Sequence, residues 1–226
     1  MTSDIHSSID TLKQHLIYLG TVVEEGIKNS IKAFHTFDAT LAAEIQKADS
    51  KINALEVNVE EDCLKILALH QPVASDLRFV VTALKMNREL ERIGDLACKV
   101  ADKVILLDAA RKHDKNPSNI TIPADFEQMF STTLSMFSSC LDAFVNEDSD
   151  LAYRICLLDD EVDEAKRTIR KELDEIVAHD QKQRVYLPML LSIARGTERI
   201  ADHTTNTAED IIYMLQGRIV RHEEAI

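Results

Sequence analysis

The chain has 226 residues, and its 39 acidic side chains against 26 basic ones give a formal net charge of −13. A surface that negative offers no broad footprint for nucleic acid and no electrostatic dock for anionic lipid, both of which need a cationic face. Five glycines and four prolines, with 45% apolar and 29% charged residues and 5% aromatic ones, leave little material for the turns of a β-sandwich and match the composition of long helices.

Cys63, Cys98, Cys140 and Cys156 form no CxxC pair. They read as small buried hydrophobes of a reducing compartment rather than as a disulfide framework or a thiolate zinc site. The opening MTSDIHSSID has no apolar leader-like run, and no later stretch approaches the ~18 uncharged residues of a membrane span. A cytoplasmic protein without direct membrane insertion is expected.

Apolar periodicity and its interruptions predict six helices. The first covers about Asp4 to Phe37, and Asp38-Ala39-Thr40 supplies an N-cap for a second reaching about Leu69. His70-Gln71-Pro72 interrupts the pattern, because proline disfavours the α conformation in the residue before it. The third helix is expected from Val73 to Asp108. The polar stretch that follows, Arg111 to Asn119, reads as a linker. Beyond it come helices from Pro123 to Asn146, Ser149 to His179 and Arg184 to Gln216, with Gly217 where a C-terminal cap belongs.

The two halves repeat one another. A shift of 110 residues places Ala33, Phe34, Asp38, Leu41, Ala42, Ile45 and Asp49 on Ala143, Phe144, Asp148, Leu151, Ala152, Ile155 and Asp159. A shift of 107 places Arg88, Glu91, Arg92, Ile93, Asp95, Ala101 and Ile105 on Arg195, Glu198, Arg199, Ile200, Asp202, Ala208 and Ile212. The chain is therefore expected to be all-α, two tandem quasi-symmetric three-helix bundles over residues 1–110 and 123–217, joined by a linker at 111–122 and followed by a tail at 218–226.

On the third helix Met86, Leu90, Ile93, Ala97, Val100 and Val104 form one apolar stripe. At 100° per residue, Glu91, Asp95 and Asp102 project to the opposite side, and Glu198, Asp202 and Glu209 do the same relative to Ile200. Like charges at i and i+4 weaken a helix, so something is expected to offset them. Carboxylates without thiolates or clustered imidazoles suit hard cations such as magnesium, manganese or ferric iron. Asp159 with Asp163, and Asp49 with Asn53 and Glu56, are the second-helix candidates for further ligands. The bland alternative is a solvated acidic face neutralised by Arg88, Arg92, Arg195 and Arg199. Asp76 and Arg78 read as local ion-pairing or helix-start residues, His203 as a packing or surface histidine, and Gly94 as a place where a neighbouring helix comes close. No P-loop, GxGxxG, GxSxG or HExxH motif occurs, and no histidine has a glutamate three residues before it, as a ferritin-like di-iron centre would need. No catalytic residue is assigned.

The segment His70-Gln71-Pro72-Val73-Ala74-Ser75-Asp76-Leu77-Arg78, the block Glu89-Leu90-Glu91-Arg92-Ile93-Gly94-Asp95 and its echo Glu198-Arg199-Ile200-Ala201-Asp202 resemble the PhoU family, from about Ile9 to Gly217. The resemblance implies a fold of two three-helix repeats and a non-enzymatic cytosolic negative regulator of the phosphate regulon. Such a protein couples the high-affinity phosphate ABC transporter ATPase to a phosphate-sensing histidine kinase, restrains uptake and forms homodimers. It also implies metal ions, with iron, manganese, magnesium and zinc as candidates, on ExxxD motifs that map to Glu91 with Asp95 and Glu198 with Asp202. Two departures stand out: Ala201 replaces the second-half glycine, and Asn53 stands where the other half has Asp163. The alternatives are a metal-dependent enzyme, a metal-storage protein, or an accessory of a low-affinity phosphate carrier.

Overall fold

A computed structural model describes residues 2–113 and 120–220. Helices α1 (Thr2–Thr36), α2 (Ala39–His70) and α3 (Ala74–His113) form the first repeat. Helices α4 (Asp125–Asn146), α5 (Ser149–Leu157), α6 (Asp159–His179) and α7 (Leu187–Gln216) form the second, with a 3-10 turn over Gln181–Val185. Among the described residues there is no strand, and no helix is long and apolar enough to cross a membrane.

The repeat is visible in the local chemistry of the turns. Phe37 and its counterpart Glu147 adopt the left-handed conformation, with φ of 52° and 55°. The next amide in each case reaches back to the last turn, Asp38 N–H to Ala33 O at 3.0 Å and Asp148 N–H to Ala143 O at 3.0 Å. That is the geometry with which helices commonly satisfy their terminal carbonyls. The same two aspartates then cap the following helices, Asp38 accepting from Thr40 and Leu41 and Asp148 from Leu151.

Three boundaries differ from the sequence expectation. The predicted fifth helix is interrupted at Leu158, where Leu158 N–H bonds to Ile155 O one residue short of the α register. The new helix start is favoured by Asp159, Asp160 and Glu161 in the first turn of α6, complementing its dipole. The last helix starts at Leu187 rather than Arg184: Asp180 caps the short 3-10 turn instead, and Pro188, which has no N–H to give, occupies the first turn of α7. Finally, α3 runs three residues into the expected linker, because Arg111 and Lys112 bond back to Asp108 at 3.0 and 2.6 Å. Of the expected linker, residues 114–119 lie outside the described residues, as do 221–226 of the expected tail.

The two repeats share one core. α3 and α7 pack against each other antiparallel: Arg78 donates to Met214 O at 3.3 Å at one end, Lys85 meets Asp210 at 3.1 Å, and His203 bonds Glu89 at 2.7 Å near the middle. α1 and α4 do likewise, from Lys13 beside Glu147 at 3.1 Å to Phe34 against Phe126 and Phe130, both ring centroids at 5.1 Å. α2 covers α1 and α3, while α5 and α6 cover α4 and α7. Every residue of the stripe predicted on α3 is buried, as are Ile193, Ile200 and Ile211 on α7.

Candidate functional site: paired carboxylates in two helix seams

In the second repeat α6 supplies Asp159, Asp163 and Lys166 at helical spacing, and α7 supplies Glu198, Asp202 and Thr205. Lys166 Nζ donates to Glu198 Oε1 at 2.6 Å and to Asp163 Oδ1 at 3.1 Å, tying the two helices together. Thr205 Oγ1 donates to Asp159 Oδ1 at 3.2 Å. Arg167 lies 3.7 Å from the other oxygen of Asp163.

This lysine neutralises the seam only in part. Burial, then the negative charges of Glu198, Asp159 and Asp163, push the Asp202 carboxyl up to about 6, against a weaker pull from Lys166. Burial likewise raises Asp159, with Asp163, Asp160 and Glu198 adding to it while the Thr205 hydroxyl opposes. For Lys166 itself, burial would lower the ammonium, but Glu198 and Asp163 override that and raise it. The seam thus holds negative charge in excess of its own cation.

The first repeat builds the corresponding seam between α2 and α3. Cys98 stands where Thr205 stands in the other half, and its thiol donates to Asp49 Oδ1 at 3.7 Å and to Ile45 O at 3.6 Å. Asn53 donates to Asp49 Oδ2 at 3.2 Å. Glu91 has Arg92 at 3.7 Å, and Asp95 has Lys99 at 3.7 Å. Gln46 donates to Asp102. Burial raises Glu56, and Glu60 and Glu91 add to the shift by repulsion.

The acids therefore do point away from the apolar stripe of their own helix, and Asp202 remains exposed to solvent, but the others are partly covered and do not stand on free outer faces. The second helix of each repeat packs alongside, leaving the Glu91, Asp95 and Glu198 side chains only 26%, 29% and 18% exposed. The structure brings Glu198, Asp202, Asp159 and Asp163 within electrostatic reach of one another. Glu209 instead raises the Cys156 thiol, and Asp102 lies beside Gln46 and Cys98. Of the four arginines expected to neutralise the acids, Arg92 reaches one of them, and Lys99 and Lys166 take up the rest of that role. Lys166 was not foreseen. Its signal was in the repeat all the same, since the 110-residue shift places Lys166 on Glu56, a reversal of charge.

As donors, these side chains fit a hard, oxygen-preferring cation. Among the described residues, however, no three His, Cys, Asp or Glu side chains converge closely enough to chelate an ion as they stand. Asp202 with Glu198 and Asp159 with Asp163 would hold such an ion in the second repeat, and Glu91, Asp95, Asp49 and Glu56 in the first. The thiols do not compete for it: burial, reinforced by neighbouring carboxylates, pushes Cys63, Cys98 and Cys156 up to about 12. All four cysteines are free.

Two further residues take roles the sequence did not suggest. Arg78 reaches across to the last turn of α7, where its guanidinium satisfies the Met214 carbonyl, instead of pairing locally with Asp76. Glu89 receives both His203 Nδ1, at 2.7 Å, and Asn206 Nδ2, at 3.3 Å, and so ties α3 to α7.

The model of the PhoU domain matches this chain twice, at residues 16–104 and 126–211, one match per repeat. A phosphate-specific transport system accessory protein PhoU homolog of Pseudomonas aeruginosa is 32% identical over 98% of this chain and 89% of its own length. The Escherichia coli accessory protein PhoU is 31% identical over the same shares of the two chains. The crystal structure of PhoU from Pseudomonas aeruginosa superimposes with a TM-score of 0.87 at 32% identity, covering 94% of this chain and 99% of that one. That of the phosphate transport system regulatory protein PhoU from Streptococcus pneumoniae gives 0.85 at 29%, covering 96% and 99%. Two family matches that coincide with the two halves of one shared core identify the chain as a member of the PhoU family.

Proposed function

We propose that this chain is a cytoplasmic negative regulator of phosphate uptake, a non-enzymatic adaptor between the ATPase of a phosphate ABC transporter and a phosphate-sensing histidine kinase, acting as a homodimer. The observation that carries the reading is full-length likeness to proteins named as accessory to a phosphate-specific transport system, extending over 98% of this chain. The sequence supports it by offering long helical faces and no catalytic motif. The test is deletion of the gene with a phosphate-starvation reporter read in phosphate-rich medium. Derepression is expected, and a reporter that stays silent overturns the reading. Pull-down of the transporter ATPase and the kinase by the purified chain checks the partners.

The second component of the reading is cation binding at Glu91 with Asp95 and at Glu198 with Asp202, with Asp49, Glu56, Asp159 and Asp163 as neighbouring ligands. Excess carboxylate in the seams supports it, as the upward shift of Asp202 reflects. Iron, manganese, magnesium and zinc are the candidate ions, with the oxygen donors favouring the harder ones. Replacing Glu198 and Asp202 together by alanine is expected to lower the metal that co-purifies, measured by elemental analysis, with little loss of folded signal, because neither side chain belongs to the apolar core. Unchanged metal content would leave the acids as a solvated face. Turnover or metal loading far beyond a few ions per chain would instead favour an enzyme or a store.

A further inference from the structure

The pseudo-equivalent seams differ at one charged position. In the second repeat Lys166 sits between Glu198 and Asp163, at 2.6 and 3.1 Å. The equivalent place in the first repeat holds Glu56, where the equivalent of Glu198 is Glu91 and that of Asp163 is the neutral Asn53. An ion pair in one half thus corresponds to a like-charge pair in the other, where Glu56 and Glu91 line one cavity together with Asn53. Among the described residues the cations beside the acids of the first seam are looser and more exposed: Arg92 stands 3.7 Å from Glu91 and Lys99 3.7 Å from Asp95, their side chains 48% and 60% exposed against 33% for Lys166.

We infer that Lys166 is a built-in counter-cation that holds the second seam closed to divalent ions, so that the two repeats bind cations unequally and the first loads ahead of the second. This inference rests on the reading of the seams as cation sites. A dication approaching Glu198 and Asp163 meets an ammonium already bonded to one oxygen of each, and must displace it or bear its repulsion. The lysine sits on a four-carbon stem at a partly exposed position, so displacement is a change of rotamer without repacking of the core. The first seam has a glutamate, Glu56, at that place, and its cations Arg92 and Lys99 stand off at 3.7 Å, so an incoming ion meets its negative charge without first breaking a short ion pair.

The experiment titrates the full chain with Mn²⁺ at constant pH and ionic strength, following free Mn²⁺ by electron paramagnetic resonance. Lys166→Gln is expected to tighten binding at the second seam by roughly tenfold, the scale of one close charge repulsion partly screened by water. Adding Asp202→Asn to that variant is expected to abolish the gain. Glu56→Lys, the reciprocal change on α2, is expected to weaken the first seam by a similar factor, so the inference is tested on two helices and survives a folding failure of either variant. If Lys166→Gln and Glu56→Lys both leave affinity and stoichiometry unchanged while Glu91→Gln with Asp95→Asn lowers them, the seams are cation sites and the role of the lysine is overturned. If no variant and not the parent chain retains Mn²⁺, the reading of the seams falls and the inference with it.

Discussion

A single methyl group decides how closely α2 approaches α3. A Cβ on Gly94 would stand 2.8 Å from Ile52 Cδ1 and 3.3 Å from its Cγ2. In the second repeat the corresponding residues are Ala201 and Val162, so a carbon gained on the third helix is matched by one lost from the second. Gly94→Ala gains about 1 kcal/mol of helix propensity but incurs overpacking of about 1–3 kcal/mol, and a net loss of stability is expected. Ile52→Val removes the Cδ1 atom that the new methyl would meet. The double variant should therefore be destabilised less than the sum of the two single ones, a coupling that urea unfolding of all four proteins measures. Additive effects would show that the approach is not limiting. Asp202 makes a second residue-level case. Its carboxyl is raised from 3.8 to about 6 in the folded chain, so folding favours the protonated form, and the stability this brings at low pH is lost as pH rises through about 4 to 6. Asp202→Asn is expected to raise the melting temperature at pH 7.5 in a metal chelator, with the gain vanishing below about pH 4.

Elements were legible where their signals are local. Asp38 reads as a cap because a short acceptor before an apolar periodic run satisfies the first free amides of a helix; it does so here, and so does its repeat counterpart Asp148. Replacing either with alanine is expected to cost about 1 kcal/mol in unfolding free energy, with the two losses additive because the sites lie in different repeats. The stripe on α3 and the break at Pro72 read correctly for the same reason. What failed to read depends on contacts between elements. A polar run at Arg111 and Lys112 looks like a linker until Asp108, only 3% exposed, is seen to bind both and carry the helix on to His113. Asp202 is exposed as the projection implies, but Glu91, Asp95 and Glu198 are partly covered, because a helical projection locates a side chain relative to its own helix and says nothing about α2 or α6 lying alongside. Lys166 escaped notice because a lysine among acids is unremarkable until its ammonium is found bridging two helices.

At the scale of the molecule, two similar halves must pair with each other rather than each with a copy of itself. Because α3 and α7 cross antiparallel, the halves are near-equivalent about an approximate two-fold, and a homodimer of either half is the assembly that competes with the native pairing. The Lys85–Asp210 pair breaks that equivalence. Its carboxylate is 3% exposed, and the 107-residue shift maps Asp210 onto Lys103 and Lys85 onto Ser192. Two first halves would set Lys85 against Lys103, a like-charge contact, and two second halves would bury Asp210 opposite a serine, an acid without its cation. Both mismatches cost more than the native pair returns, which is how a buried ion pair serves specificity even when it adds little net stability. Residues 1–113 and 120–220 expressed together as separate chains are therefore expected to form a 1:1 complex in preference to either homodimer, as read by native mass spectrometry. Lys85→Asp in the first fragment should weaken that complex, and Asp210→Lys in the second should restore it, since the exchanged charges again face each other. If the doubly exchanged pair binds no better than the single variant, pairing of the halves is set by the apolar surface alone.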